Sequence, residues 1–466
     1  MLVWPVVAAV FVYRYVVWFM RTVALVWCLV AAVWSASAQS LADRQLDSLA
    51  ACGVLVFVDG RAVDGEADSL RRVMDRFYYD QFRHSQDPAS PYFMFISRDA
   101  QLAMGVGGCV RMRGWYEWGG VVPINGFSPY AIDVDGDRGR RLGTTPSGTA
   151  LFFRVIGRSG YLGDYQLYIE ANFDGYGGRD FHLKKAYATV GEWTIGYANS
   201  TLSDPMAVPP TVDASGPNNK VAPTSVLVRR QFDGGRGWRM ALSVETPSVA
   251  ADLTGGAAGA SGRGAEVASG VESTVGKADG WLPDVGGFVQ YGWGRSEHVR
   301  LSGILRWLPY RDLTCGRLNT VVGWGAQLSV TAHPWPAWTV YGTLTGGRGI
   351  GSMMGDFQLG SYDLVGVPGV AGRMYAPELL GWNTAVQYNF TPSVFATLVY
   401  SEARYLPRYD VAGSTYRWGR YFAANVFWNL TPRVQVGAEL NLGERKNMNG
   451  EHRGARRVGA MCQFSF

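Results

Sequence analysis

The sequence predicts an all-β fold, a transmembrane antiparallel β-barrel of about 16 strands. Three observations predict it: the composition, a long stretch of period-two alternation, and alternating short and long connections. The 466 residues include 60 glycines and 13% aromatic residues, and 17% are charged. A disordered chain would be poor in aromatic residues and rich in charge, and a helical bundle would not carry this much glycine. The formal net charge of +5 is too small to indicate nucleic-acid binding.

Residues 1–38 form the first expected element, a secretory signal peptide. They contain a basic residue, Arg21, an apolar run at 23–33 and small residues that end at Ala38. This order of a basic, an apolar and a small-residue region predicts cleavage after Ala38 and export of the mature chain. Residues 1–19 are interpreted as an upstream extension, and a signal anchor spanning both apolar blocks is the alternative.

Residues 39–98 are predicted to be a periplasmic N-terminal segment. Their apolar residues do not alternate but recur at helical spacing over roughly 66–83, as at Leu70, Val73 and Phe77. This pattern predicts an amphipathic helix. We expect the helix to pack against the periplasmic rim of the barrel or to tether it, and a role in joining subunits is the alternative.

Residues 99–466 are predicted to form the barrel. In 164–173, Leu167 and Ile169 share an apolar face, whereas Glu170 shares the opposite face with Asp, Gln and Asn side chains. A strand with one apolar and one wet face suits a barrel wall, and about ten residues cross the hydrocarbon at a tilt. The predicted strands lie near 100–113, 148–157, 163–173, 181–190, 193–200, 224–232, 237–245, 285–293, 297–308, 319–331, 337–346, 379–389, 394–405, 417–429, 433–443 and 455–466.

The connections between these strands alternate in length. The short links lie near 158–162, 191–192, 233–236, 294–296, 332–336, 390–393 and 430–432, and the long links are 114–147, 201–223, 246–284 and 347–378. Such alternation is typical of outer-membrane barrels. A soluble β-sandwich or propeller is the alternative, but it explains neither the terminal Phe466 nor the aromatic residues near strand ends, such as Trp338 and Trp428.

The sequence contains no pattern typical of an enzyme or a cofactor site. H-E-x-x-H, G-x-S-x-G and Walker patterns do not occur, and the cysteines after the leader are too far apart for a zinc site or a disulfide framework. Residues 133–137 resemble part of a calcium loop but lack its closing Glu, so we interpret them as a solvated loop. We therefore expect no enzymatic activity, no catalytic residue, no metal ligand and no cofactor.

Charged residues on the polar strand faces are predicted to line a pore. The predicted pore-lining residues are Arg111, Arg113, Arg154, Arg158, Glu170, Lys184, Arg229, Arg239, Arg300 and Arg306. Positive charges inside a water-filled tube create a field that enriches anions. We therefore expect a modest anion preference, and a balanced polar lining without preference is the alternative.

The long link 201–223 is predicted to fold inward and narrow the pore. Its prolines stiffen it, and its apolar residues require cover. The predicted constriction-loop residues are Asp204, Pro205, Pro209, Pro210, Asp213, Asn218, Asn219 and Lys220. An external loop packed on a neighbouring subunit is the alternative.

Several segments resemble the DcaP-like outer-membrane porins. They are 93–100 (FMFISRDA), 114–118 (GWYEW), 152–158 (FFRVIGR), 168–173 (YIEANF) and the loop from Ser203 to Asn219. The resemblance covers most of 91–466. It implies a sixteen-stranded, trimeric porin that passes small solutes, in a family linked to dicarboxylates and other small organic anions. The better-known members carry a long N-terminal coiled coil, whereas the corresponding segment here is short and not heptadic.

Together these observations predict a porin of the bacterial outer membrane, a passive diffusion channel for small polar solutes that favours small organic anions. The expected partners are outer-membrane lipid, small solutes and two further copies in a homotrimer, with no nucleic acid. Two alternatives stay open. One is a surface structural or adhesin barrel with a blocked lumen. The other is a barrel lipid hydrolase, which needs a Ser/His pair on a lipid-facing strand.

Overall fold

The computed structural model describes residues 54–58, 61–62, 93–97, 102–122, 124–136, 139–161, 163–173, 180–252, 274–293, 296–431 and 433–466. The predicted signal peptide and the predicted helix over 66–83 lie outside these residues. Within the described ranges, no helix is long and apolar enough to cross a membrane.

Sixteen antiparallel strands form a closed barrel, which confirms the predicted fold class. They are β1 (Leu102–Trp118), β2 (Arg140–Thr145 and Ala150–Ser159), β3 (Gly163–Phe173), β4 (Phe181–Val190), β5 (Trp193–Asn199), β6 (Thr224–Gly235), β7 (Trp238–Glu245), β8 (Asp284–Gly292), β9 (His298–Asp312), β10 (Leu318–Trp335), β11 (Trp338–Arg348), β12 (Glu378–Asn389), β13 (Val394–Leu406), β14 (Tyr416–Thr431), β15 (Val434–Asn447) and β16 (His452–Ser465). Each strand pairs with the next, and β16 pairs with β1 from Arg456↔Trp118 to Ser465↔Cys109.

Six short strands and four 3-10 helices among the described residues accompany the sixteen wall strands. They are the strands Val54–Val58, Arg61–Ala62, Phe93–Ser97, Val275–Lys277, Val365–Gly366 and Met374–Tyr375, and the 3-10 helices Pro129–Ala131, Pro205–Ala207, Gly351–Met353 and Gly355–Leu359. Phe93–Ser97 pairs with β1 on the part of its edge that β16 leaves open, and Val54–Val58 pairs with Phe93–Ser97. Part of the predicted N-terminal segment therefore extends the barrel sheet.

The two faces of the wall differ in polarity, as the alternation predicts. On β10, Trp324 and Leu328 are exposed outward, whereas Gln327 and Ser329 are buried on the lumen side. An apolar outer surface around a closed barrel suits a lipid environment. Aromatic rings pair on the outer face near strand ends, as Trp338 does with Tyr388 at a centroid distance of 4.7 Å, where the membrane interface favours them.

One end of the barrel carries short turns and the other carries the long loops. We call them the turn end and the loop end. The turn between β4 and β5 is tight, and Gly191 adopts a φ of 55° there, which favours glycine. The first long link is shorter than predicted, because the alternation continues through Tyr116 to the end of β1 at Trp118 and β2 already begins at Arg140.

Candidate functional site

Loop 3, the link 200–223 between β5 and β6, folds into the barrel. Leu202 and Asn219 are fully buried, and Asp204 is 2% exposed. The eight predicted constriction-loop residues all lie in this inward-folded segment. Seven of them are buried, and Lys220 is half-buried.

Asp204 fixes the start of loop 3 to the wall. His298 Nε2 lies 2.8 Å from Asp204 Oδ2, Ser329 donates a hydrogen bond to the same oxygen, and Arg300 Nη1 lies 3.7 Å from Oδ1. Burial by itself would raise the pKa of Asp204, but Arg300, His298 and Ser329 hold that pKa below its usual value. The carboxylate therefore stays charged and anchors the loop to β9 and β10.

This group contains a serine, a histidine and an aspartate, but its geometry differs from a catalytic triad. Asp204 lies between the other two and accepts a hydrogen bond from each. The second ring nitrogen of His298, Nδ1, faces the carbonyl of Ser296 at 2.7 Å. Both ring nitrogens of His298 face these acceptors, so neither faces the Ser329 hydroxyl, as the general base of a nucleophilic serine would.

The far part of loop 3 binds the opposite wall. Asn219 Nδ2 donates to Thr343 Oγ1 at 2.9 Å, and Asn383 Nδ2 donates to Asn219 Oδ1 at 2.8 Å. The backbone N–H groups of Val212 and Asp213 each donate to Glu439 at 2.8 Å. The loop thus crosses the lumen from β5 to β15.

The described parts of loops 1 (119–139), 4 (246–283) and 6 (349–377) contribute to the same packing. Arg306 of β9 lies 3.0 Å from both Asp284 of β8 and Asp363 of loop 6, and its guanidinium also donates to the carbonyl of Ser248 in loop 4. Its side chain is fully buried. One arginine therefore holds two loops against the wall.

A comparable ion pair holds loop 1. Arg457 of β16 makes two hydrogen bonds to Glu117 Oε2, at 2.9 and 2.7 Å, and donates to the carbonyl of Asn125 in loop 1 at 3.1 Å. Both charged side chains are buried. The pair closes the contact between β16 and β1 on the lumen side.

Asp356 joins three loops. It accepts hydrogen bonds from Ser128 of loop 1, from Asn218 Nδ2 of loop 3 at 3.1 Å and from the Tyr416 hydroxyl of β14 at 2.8 Å. Burial raises the pKa of this carboxyl to about 6, although the three donors oppose the shift. The junction of the loops therefore contains a carboxyl that titrates close to neutral pH.

A cavity of about 310 Å³ remains between loop 3 and strands β1 to β6. Five cationic side chains line it: Arg111, Arg113, Lys184, Lys185 and Lys220. Among the described residues that line it, none carries a carboxylate. The loop 3 side contributes mostly small and apolar residues, including Pro205, Val208 and Val221. The cavity thus has a basic wall that faces a largely apolar one.

A β-bulge explains why two consecutive lysines reach this cavity. In the pairing of β3 with β4, Glu170 is opposite Lys185 and Ala171 is opposite Leu183, so Lys184 is the extra residue. A bulge disturbs alternation locally and redirects side chains. Glu170 is buried behind the lysines, 2.8 Å from Lys184 Nζ and 3.7 Å from Lys185 Nζ. One carboxylate thus supports two cations, and the excess positive charge faces the cavity.

The structure separates the predicted pore-lining residues into three groups. Arg111, Arg113 and Lys184 line the cavity, with Glu170 behind them. Arg154, Arg229, Arg300 and Arg306 are buried in the wall, where Arg300 and Arg306 contact loops and the Arg154 guanidinium lies 4.8 Å from the Tyr168 ring. Arg239 is half-buried, and Arg158 is exposed beside Asp164 near the turn end.

Other residues at the site were not singled out from the sequence. Lys185 is not among the predicted pore-lining residues, because strict alternation from Lys184 places it on the outer face. The sequence around the loop anchors does not indicate their role, since each one depends on a partner far away in the chain. These anchors are Asp356, Asp363 and Arg457. For Arg457, the alternation of β16 could have indicated an inward charge that needs an acidic partner.

The comparisons with known proteins concern the fold. No family model and no curated protein matches the chain. The structure is similar to the outer membrane channel DcaP of Acinetobacter baumannii, with a TM-score of 0.64 and 17% identity, covering 79% of this chain and 98% of that chain. It is also matched to an anion-selective porin from Comamonas acidovorans, with a TM-score of 0.49 and 12% identity, covering 78% of this chain and 100% of that one. At the level of the fold, the resemblance to the DcaP-like porins is confirmed.

Proposed function

We propose that the protein is a non-enzymatic diffusion channel of the bacterial outer membrane that favours small organic anions. The basic lining of the cavity carries this proposal. Lys184, Lys185 and Arg111 project from the wall into a space whose described lining holds no carboxylate. Fixed positive charges in a narrow wet passage raise the local concentration of anions and lower that of cations.

The opposite side of the cavity supports an organic solute. Pro205, Val208 and Val221 of loop 3 offer apolar contacts across from the cations. An anion with a hydrocarbon body can place its charged group on the basic wall and its apolar part against the loop. A small, fully hydrated ion gains only the first of these interactions. The fold also supports the proposed membrane location and a trimeric assembly, in which the turn end faces the periplasm.

The reversal potential across a planar bilayer under a KCl gradient tests the proposal. We expect chloride preference for the wild type and a weaker preference for the double variant Arg111→Gln/Lys184→Gln. Arg158→Gln is the matched control, because it removes one exposed cation that lies near the turn end and does not line the cavity. Potassium preference of the wild type would contradict the proposal.

The described parts of loops 1, 3, 4 and 6 pack inside the barrel, and this packing favours one alternative, a structural barrel with a blocked lumen. The same bilayer recording separates the two. A folded protein that never conducts would support the blocked barrel. Conductance that is reduced by millimolar succinate on one side, and less so in the double variant, would support the channel.

A further inference from the structure

A cluster of charged side chains lies on the outer surface of the wall at its loop end. We call it the rim cluster. Its members are Glu402 and Arg404 on β13, Arg420 on β14, Glu444 and Lys446 on β15, and Arg456 on β16. Their strand neighbours Ala403, Tyr421 and Ala455 are buried on the lumen side. Because side chains alternate along a strand, the members of the rim cluster face outward.

Glu402 holds the centre of the rim cluster together. It is only 3% exposed, since two arginines cover it. Arg420 Nε lies 3.3 Å from Glu402 Oε2, Arg404 Nε also contacts this carboxylate, and Arg420 Nη1 lies 3.8 Å from Glu444 Oε2. The side chains of Arg404 and Arg420 nevertheless stay 51% and 46% exposed. The two carboxylates position the arginines, and the four cations leave an excess of positive charge.

The height of the rim cluster on the wall matches that of lipid headgroups. Towards the turn end, the outer surface becomes apolar, with Leu398 56% exposed and Val458 48% exposed. Aromatic side chains lie at the level of the rim cluster: the rings of Trp382 and Tyr400 are 5.2 Å apart, and Arg420 lies 4.3 Å from the Trp418 ring. Such aromatic residues sit at membrane interfaces. Cations at this level meet the phosphates of anionic lipids.

We propose that the rim cluster binds a phosphorylated lipid of the surrounding leaflet through its phosphate groups. From β13 to β16 the cluster spans three strand spacings, about 14 Å, which is wider than one phosphate. It therefore suits a headgroup that carries two separated phosphates. A two-fold contact of this surface with itself does not suit the cluster, because two such clusters would repel each other. The proposal rests on the proposed membrane location but not on conduction.

Native mass spectrometry of the detergent-solubilised full-length barrel tests the proposal. The probes are diphosphoryl lipid A, monophosphoryl lipid A and inorganic phosphate. We expect retention of diphosphoryl lipid A, weaker retention of the monophosphoryl form and none of inorganic phosphate. The variant Arg404→Gln/Arg456→Gln is expected to lose about fivefold in affinity for each cation removed, whereas Arg404→Lys/Arg456→Lys keeps most of it.

Arg311→Gln is the matched control, since Arg311 is an exposed cation at the loop end of β9, outside the rim cluster. Equal retention by the wild type and the Gln double variant would overturn the proposal, and so would an equal loss in the control. Equal retention of the two lipids by the wild type would also overturn it, and this arm needs no variant. Unaltered bilayer conductance of the Gln variant shows that the fold is intact and that lipid binding is separate from the channel.

Discussion

The two sides of the lumen use the same residue types differently. Along β1 to β6, cations such as Lys184 and Arg111 face a cavity. Along β8 to β16, cations such as Arg306 and Arg457 are buried in ion pairs that hold loops in place. An inward cation can therefore line a passage, as Lys184 does, or anchor packing, as Arg306 does. The partner supplied by a distant loop decides which role it has.

The largest effect is expected for Arg306→Ala on the packed side. The substitution leaves Asp284 and Asp363 buried without their shared cation, and breaking a buried pair costs about 3–5 kcal/mol. The free energy of unfolding in detergent, measured by urea titration, should fall by that amount. If Asp363→Asn is added, part of the loss should return. An unchanged unfolding midpoint would mean that the packed side does not depend on this pair.

A smaller effect is expected from pH at Asp356. Its pKa is raised to about 6 in the folded state, above the value near 4 of an unfolded chain. The stability contributed by the protonated carboxyl is therefore complete below about pH 4 and is lost as the pH rises through about 6. Asp356→Asn should remove this dependence and be more stable than the wild type at pH 7 by on the order of 2 kcal/mol.

Unfolding midpoints of the wild type and the Asn variant, recorded from pH 4 to pH 7, measure the difference between the two profiles. Arg445 is a charged side chain close to this junction, lying 5.8 Å from the Tyr416 ring. Parallel profiles would show that Asp356 is not the titrating group.

Asn219→Ala tests the contact by which loop 3, which borders the cavity, is anchored to the packed side of the lumen. The substitution removes the contacts of loop 3 with Thr343 and Asn383, and a lost buried hydrogen bond costs about 1 kcal/mol. Because the tip of loop 3 is then held less firmly, the single-channel conductance should rise and become noisier. A stable, quiet channel of wild-type conductance would show that the other anchors suffice.

The smallest effect is expected for Arg158→Gln. Its ion pair with Asp164 is exposed, with Arg158 Nε 2.6 Å from Asp164 Oδ1, and such pairs contribute little because water and salt screen them. Both the unfolding midpoint and the reversal potential should match the wild type within error. A changed ion selectivity would extend the functional lining to the turn end.

Much of the fold could be predicted from alternation and link lengths, because each wall residue has to suit either lipid or lumen. The inward fold of loop 3 followed from its prolines and apolar residues. The division of the cations could not be predicted in this way. Arg300 and Lys184 look alike within their strands, and Arg300 becomes an anchor only through Ser203 and Asp204 of loop 3. The bulge at Lys184, which brings two consecutive lysines to the cavity, also depends on a neighbouring strand.

The pairing of β16 with β1 constrains how the molecule can assemble. Until β16 and β1 pair, the backbone N–H and C=O groups along their facing edges have no partner in the sheet. Such groups cannot remain unpaired in hydrocarbon. β1 is synthesised long before β16, so the barrel wall cannot close until synthesis of the chain is nearly complete. Entry into hydrocarbon therefore has to wait until the last strand pairs with the edge of β1.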